Sequence, residues 1–349
     1  MTNISLWNNL DTQKRKYHNG GQKKNDRESE AYVMDIRFEK REHLKEKPDQ
    51  KHLGFGKYMT DYMFVMDWTK EEGWKDARIV PEGPITMDPA CVTLHYAQET
   101  FEGMKAYRTA EGKIQLFRPE MNAKRMINSN ARLCMPELPV DMFVEAVKAL
   151  VKVEEDWVPS EPETSLYIRP FMFATEAALG VHMASAYKFM IICCPVGAYY
   201  AEGINPVKIL VEDELVRAVK GGTGFTKCGG NYAGSILGQV KAEKMGYSHV
   251  LWLDGEHRKY VEEVGTMNIM FKIAGEIYTA PIEGTVLPGV TRDSMIHLLR
   301  DWGYKVNETR LSVDDLMKAG HDGTLEEVFG TGTAAAVSYT HLRAHETSL

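Results

Sequence analysis

From Phe55 onward the hydrophobic and polar positions recur with regular periods, and those periods predict most of the secondary structure. Residues 58–68 and 114–117 read as strands, and Phe143, Ala146, Val147, Leu150 and Val151 trace one face of a helix. Residues 166–174 alternate, so Tyr167, Arg169 and Phe171 share one side of a strand while Leu166 and Ile168 take the other. An arginine flanked by aromatics on one strand face predicts a pocket wall. A second apolar strand, residues 189–194, runs into Pro195-Val196-Gly197-Ala198-Tyr199-Tyr200, punctuation that places a domain boundary near residues 197–206. Beyond it, strands at residues 208–211, 250–253, 260–264, 268–273 and 305–309 alternate with helices near residues 231–245 and 291–302. The helix from Asn231 carries Ala233, Ile236, Leu237 and Val240 on one face and stops at Gly246. This mixture predicts an α/β or α+β architecture.

The two ends of the chain differ from its middle. Residues 1–33 are polar, rich in Asn, Lys, Gln and Gly, and lack a sustained period, so they bury too little apolar surface to offset the entropy of ordering. The expectation is a disordered or non-native extension with Met34 as the natural start. A small N-terminal domain over residues 34–200, a linker over 201–206 and a larger domain over 207–337 are then expected.

With 349 residues, 44% hydrophobic content and 26% charged content, the chain is long enough for two domain cores. The net charge of −7 argues against a nucleic-acid or anionic-membrane partner, either of which favours a basic face. The five cysteines form no CxxC pair and no zinc spacing, which fits free thiols in a reducing compartment; no metal site is expected. No apolar run approaches the ~20 residues needed to span a bilayer, and the polar start does not resemble a signal peptide. The expected location is the cytoplasm.

The candidate chemistry centres on Lys227, set between glycine clusters in Gly221-Gly222-Thr223-Gly224-Phe225-Thr226-Lys227-Cys228-Gly229-Gly230 at the mouth of a helix. The loop resembles a P-loop but lacks the Gly-Lys-Ser/Thr ending that ligates magnesium. Gly330-Thr331-Gly332-Thr333-Ala334-Ala335 fits a dinucleotide fingerprint without room for the βαβ unit that must follow, and reads as a turn of exposed N–H groups. With the helix opening at Thr291 after Pro288-Gly289-Val290, these parts suit a phosphorylated aldehyde. Two turns with free N–H groups cradle a phosphate, and a lysine of lowered pKa forms a Schiff base.

Six segments in consistent order, Phe101-Glu102-Gly103-Met104-Lys105-Ala106, Thr164-Ser165-Leu166-Tyr167-Ile168-Arg169-Pro170, Pro195-Val196-Gly197-Ala198-Tyr199, Lys227-Cys228-Gly229-Gly230-Asn231-Tyr232, Glu263-Val264-Gly265-Thr266-Met267-Asn268 and Leu287-Pro288-Gly289-Val290-Thr291-Arg292, closely resemble the branched-chain amino acid aminotransferases. The resemblance runs from about Met34 to Val337. It implies the fold-type IV architecture of pyridoxal-phosphate enzymes: a small N-terminal α/β domain, a larger mixed, barrel-like C-terminal domain, and a homodimer. It also implies reversible ping-pong transfer of the amino group from L-leucine, L-isoleucine or L-valine to 2-oxoglutarate.

By the same resemblance Lys227 is the Schiff-base lysine, which also moves the proton between substrate Cα and cofactor C4′. Glu263 faces the pyridine nitrogen, while Glu262 points to the opposite strand face. Tyr232 holds O3′, and Thr266 lies beside the cofactor. Arg125, a few residues after the helix-opening Pro119, pairs with the phosphate, joined by Val290, Thr291 and Thr333. The Thr333-Ala334 backbone matches the place that holds a substrate α-carboxylate. Phe55, Tyr96, Phe101, Tyr167 and Tyr199 match an apolar pocket for branched side chains, and Arg169 suits the distant carboxylate of glutamate. Taken singly, each of these residues has an ordinary reading: solvated charge for Lys227 and Arg125, core packing for the aromatics, a structural ion pair for Arg169.

Two departures stand out. Thr333-Ala334-Ala335-Ala336-Val337-Ser338 carries no CxxC redox pair, so thiol regulation is not expected. Residues 338–349 match nothing in the family, which continues with further strands and a helix, and are expected to be a foreign tail on a truncated large domain. Alternatives on the same fold are a D-amino-acid aminotransferase or an aminodeoxychorismate lyase. A different class is a non-catalytic protein that binds pyridoxal phosphate.

Overall fold

The computed structural model describes residues 34–197, 207–333 and 336–340. The first sheet is built from β1 (Arg37–Phe38), β2 (Tyr62–Thr69), β3 (Gly73–Pro81), β4 (Glu99–Phe101), β5 (Met104–Arg108), β6 (Ile114–Leu116), β7 (Ser165–Ala174) and β8 (Ala186–Val196), with helices α1 (Val92–Tyr96), α2 (Pro119–Arg132) and α3 (Val140–Val153) between its strands. Its order is β1-β3-β2-β8-β7-β5-β6, with β4 also on β7. Except for the parallel β1/β3 pair, its strands run antiparallel. The alternation read in residues 166–174 and the helical face read from Phe143 to Val151 both take their predicted form, as β7 and α3. Phe143, Ala146, Val147 and Leu150 of α3, with Ala123 and Met126 of α2, pack on Phe64, Phe189 and Ile191 of the sheet. The strand predicted over residues 58–68 begins later, at Tyr62.

The second sheet comprises β9 (Ile209–Glu212), β10 (His249–Leu253), β11 (Val261–Val264), β12 (Met267–Ile273), β13 (Glu276–Thr279), β14 (Val306–Glu308), β15 (Leu325–Gly332) and β16 (Ala336–Thr340). With them come helices α4 (Gly229–Ala233), α5 (Ile236–Lys244), α6 (Val290–Asp301) and α7 (Val313–His321). The order is β14-β13-β12-β11-β10-β9, and β12 also pairs with β15, which pairs with β16. Two mixed sheets, each with helices packed on it, agree with the expected α/β (α+β) arrangement of a small and a larger domain. Among the described residues no helix is long and apolar enough to cross a membrane.

The first sheet ends at Val196 and the second begins at Ile209, on either side of the predicted boundary. The linker over 201–206 lies outside the described residues, as do residues 1–33 and 341–349. Strand β16 crosses the expected Val337/Ser338 limit, with Ser338, Tyr339 and Thr340 paired to Gly330, Phe329 and Val328.

Two expectations need correction. The helix predicted over residues 231–245 is two helices broken at Gly234-Ser235, and its apolar face is exposed: Ile236, Leu237 and Val240 point to solvent. The buried side carries Gly238 and Ala242, because a Cβ at position 238 would stand 2.6 Å from the Trp252 ring. The inner face was chosen by space rather than hydrophobicity. Residues 330–332 are not a turn of exposed N–H groups but the end of β15, where β16 pairs with all three residues and β12 with Gly330 and Thr331.

The first core holds an ionisable group with a measurable consequence. Glu154, which follows α3, is 1% exposed and accepts the Tyr62 N–H at 2.5 Å. Burial pushes its carboxyl up from 4.5 to about 7. The folded protein therefore holds this proton more tightly than the unfolded chain does. The resulting stabilisation is complete below pH 4.5 and is lost as pH rises through 7. Replacing Glu154 with Gln keeps an acceptor for Tyr62 and removes the titration. Between pH 5 and pH 8 the unfolding free energy of the wild type should fall by about 2–3 kcal/mol more than that of the Gln variant, as read from urea denaturation.

Candidate active site

A cavity of about 370 Å3 lies where β4, β7 and α2 of the first sheet meet the Lys227 loop, β11, β12, β15 and the start of α6. The glycine-framed loop is held shut by Asn231, whose Nδ2 donates to Thr223 O and Thr226 O at 2.7 Å each and whose Oδ1 accepts from Thr223 Oγ1 at 2.7 Å. Lys227 itself is clasped by the first sheet and its helix. Its N–H donates to Ser129 Oγ of α2 at 3.0 Å, and its C=O accepts from Phe101 N–H at 3.0 Å. With the backbone fixed at both ends, the side chain projects into the cavity. There Nζ donates to Tyr232 Oη at 2.7 Å and lies 4.8 Å from the centre of the Phe101 ring. Among the described residues no carboxylate is within ion-pair distance of this amine.

Glu263 of β11 is 4% exposed and also lines the cavity. Its Oε1 accepts from Asn268 Nδ2 at 3.0 Å and from Leu287 N–H at 2.9 Å, and Arg217 Nε lies 3.0 Å from its Oε2. Burial pushes this carboxyl above the usual carboxylate range, while Arg217 and the Leu287 N–H pull against it. Every neighbour that touches it is a donor, so the site is built for a carboxylate. Glu262, one residue away, faces the other side of the strand, where it accepts from Thr285 Oγ1 at 2.5 Å, in line with the alternation read from the sequence.

Arg125 reaches the cavity from α2 but spends most of its hydrogen-bonding capacity on Glu102. Nε donates to Glu102 Oε1 at 2.8 Å and Nη2 to Oε2 at 2.7 Å, while Nη1 donates to Pro288 O at 3.2 Å, just before the start of α6. Burial disfavours the charge on Arg125, and Glu102 beside it more than offsets this, holding the guanidinium above its ordinary value. Glu102 is itself fully buried and accepts a further bond from Asn122 Nδ2 at 2.8 Å.

At the opposite wall Tyr167 and Arg169 stand on one face of β7. Arg169 Nη2 donates to Tyr167 Oη at 2.8 Å, and the guanidinium lies 4.8 Å from the Phe101 ring centre and 5.2 Å from that of Tyr167. Its buried Nε has no hydrogen-bond partner, and among the described residues no carboxylate pairs with it. Phe55 packs on Tyr167 with ring centres 4.9 Å apart. The wall is thus aromatic around the Arg169 guanidinium, which feels the Glu99 carboxylate through space but forms no ion pair with a described carboxylate.

The cavity brings together Lys227, Arg125, Tyr232, Glu263, Thr266, Val290, Thr291, Thr333, Phe55, Phe101, Tyr167 and Arg169. Tyr96 does not join them: it is 42% exposed in α1, with its hydroxyl donating to Leu179 O. Tyr199 and Ala334 lie outside the described residues.

A family model for class IV amino-transferases matches residues 99–338. The chain belongs to the class IV aminotransferases. It is 53% identical over 303 residues to branched-chain-amino-acid aminotransferase 2 of Bacillus subtilis, covering 87% of this chain and 84% of that protein. It is 54% identical over 304 residues to branched-chain-amino-acid transaminase 1 of the same organism, covering 87% and 85%. Among solved structures it resembles the Escherichia coli branched-chain amino acid aminotransferase, with a TM-score of 0.68 at 26% identity over 80% of this chain and 85% of that one. It also resembles the T.th. branched-chain amino acid aminotransferase complexed with N-(5′-phosphopyridoxyl)-L-glutamate, with a TM-score of 0.64 at 30% identity over 79% and 84%.

Four residues of this cavity and its surroundings carry no sequence signal that shows their contacts. Glu102 and Asn268 sit inside segments that carry the family resemblance, which gives their places but not their partners. Arg217 lies in irregular chain with no periodic signal, 46 residues from the carboxylate it meets. Thr331 lies between two glycines, so its local sequence reads as a turn.

Proposed function

We propose that this chain is a branched-chain amino acid aminotransferase that uses pyridoxal 5′-phosphate and 2-oxoglutarate. The observation that carries the reading is the placing of a Lys227 amine, bonded to a phenol, in one cavity with a buried carboxylate and an aromatic-walled arginine. The residues present fit the cofactor. Lys227 would bond its aldehyde carbon, Tyr232 its ring oxygen and Glu263 its ring nitrogen, with Thr266 beside the ring. Val290 and Thr291 at the start of α6, Thr333 and the Nη1 side of Arg125 would hold its phosphate.

When bound, pyridoxal phosphate supplies an electron-withdrawing ring that acidifies the substrate Cα–H and carries the amino group between the two substrates. Once the substrate amine has displaced it from the aldehyde carbon, Lys227 Nζ would move the proton between substrate Cα and that carbon, and Tyr232 Oη would orient the amine. Glu263, whose charged form Arg217, Asn268 and Leu287 N–H favour against burial, would hold a proton on the ring nitrogen. The Thr333-Ala334 backbone would hold the α-carboxylate. Phe55, Phe101 and Tyr167 exclude water from an apolar side chain, while Arg169 receives the second carboxylate of glutamate or 2-oxoglutarate. L-leucine, L-isoleucine and L-valine fit the apolar wall. A homodimer and a cytoplasmic location, both expected from the sequence, belong to the same proposal.

The test is glutamate formation from L-leucine and 2-oxoglutarate with added cofactor. Turnover of D-alanine in place of L-leucine would favour the D-amino-acid reading, and cofactor binding without either turnover the non-catalytic one. Within the proposal, Arg169→Leu should raise KM for 2-oxoglutarate about 10–100-fold, the worth of a charge-assisted hydrogen bond, while KM for leucine changes less than about threefold. Equal losses for both substrates would remove Arg169 from the second-carboxylate role.

A further inference from the structure

Strands β12 and β15 run antiparallel with Asn268 opposite Thr331, and their residues alternate between two faces. Met267, Ile269, Phe271 and Val328 pack on one side. On the other, Met270 and Phe329 pack against Ile296 and Leu299 of α6. Asn268 and Thr331 continue that second row toward the beginning of α6. Asn268 Oδ1 is so close to Gly289, the residue that caps α6, that a Cβ there would stand 2.0 Å from it.

Thr331 is 1% exposed and lines the cavity, yet its buried Oγ1 has no hydrogen-bond partner. A buried hydroxyl in that state is destabilising and calls for a ligand atom. The neighbouring donors are committed: Asn268 Nδ2 to Glu263 Oε1 and Leu287 O, and Arg125 Nε and Nη2 to Glu102. The first-turn N–H groups of the twelve-residue α6 open at the same end, where an anion is favoured.

We propose that Thr331 is a phosphate-binding residue, its Oγ1 donating to a phosphate oxygen held at the start of α6. This rests on the pyridoxal-phosphate reading above and adds a donor that the sequence did not point to. A hydroxyl donates to the anion without adding charge, next to an arginine whose charge is already paired with Glu102.

Binding of pyridoxal phosphate and of pyridoxal, which lacks the phosphate, is measured by cofactor absorbance for the wild type, Thr331→Val and Thr331→Ser. The valine variant, nearly equal in volume, should bind pyridoxal phosphate about tenfold more weakly and pyridoxal unchanged, and the serine variant should recover wild-type affinity. Unchanged affinity for pyridoxal phosphate in Thr331→Val, or an equal loss for both compounds, would overturn the proposal. Thr331→Ala gives a second deletion of the hydroxyl if the valine variant does not fold, with the same expected ratio. A wild type that binds neither compound would overturn the cofactor reading itself, a result distinct from a loss of phosphate selectivity in the variants.

Discussion

Replacing Lys227 with Ala should lower transamination by about 10^3-fold or more while leaving the protein folded. The size follows from the two tasks proposed for one amine, covalent bonding and proton transfer, since positioned acid–base catalysis alone is worth about 10^2–10^4-fold. Folding should survive because the loop is fixed by its backbone: Ser129 Oγ, Phe101 N–H and the Asn231 side chain all bond main-chain groups or other side chains. The side chain contributes a single hydrogen bond, to Tyr232. Steady-state rates together with a thermal melt separate the two effects. Turnover within tenfold of the wild type would remove Lys227 from the chemistry.

Replacing Glu102 with Ala should cost about 3–5 kcal/mol of stability, the usual result of leaving one member of a buried ion pair alone. Glu102 is fully buried, Arg125 is 7% exposed, and two parallel hydrogen bonds join them, with Asn122 adding a third contact. Removing the carboxylate strands a buried guanidinium. Against the ~5–15 kcal/mol of a typical domain this leaves a marginal fold. Glu102→Gln should lose less, because it keeps an acceptor. The double replacement Glu102→Leu with Arg125→Met should recover much of the stability while losing affinity for the cofactor's phosphate. Urea midpoints of the three variants provide the measurement, and a loss below about 1 kcal/mol in Glu102→Ala would show that the pair is not the brace it is taken to be.

Much of this site is legible in local sequence pattern. The strict alternation around Tyr167 and Arg169 has one geometric solution, a strand face, and β7 adopts it; the repeat from Phe143 to Val151 likewise has one solution as α3. Glu262 and Glu263 are separable because adjacent strand residues face opposite ways. What stays hidden depends on distance along the chain or on space. Arg125 reads as a free cation for phosphate, because nothing in a helix sequence reveals a carboxylate 23 residues earlier folding back onto it. The apolar residues of α5 mark the wrong face, since Gly238 must slip beneath Trp252 and hydropathy does not measure room. Thr331 looks like part of a glycine turn because two glycines flank it. The same glycines form the end of a strand, Gly330 paired to both β12 and β16 and Gly332 to β16.

The proposed chemistry requires the amine of Lys227 to bond the cofactor's aldehyde. Incubating the 349-residue protein with pyridoxal phosphate, reducing it with borohydride and mapping the adduct by peptide mass spectrometry tests it most directly. The account expects one stoichiometric phosphopyridoxyl adduct on Lys227, absent in Lys227→Ala; an adduct confined to other lysines, or none at saturating cofactor, would contradict it.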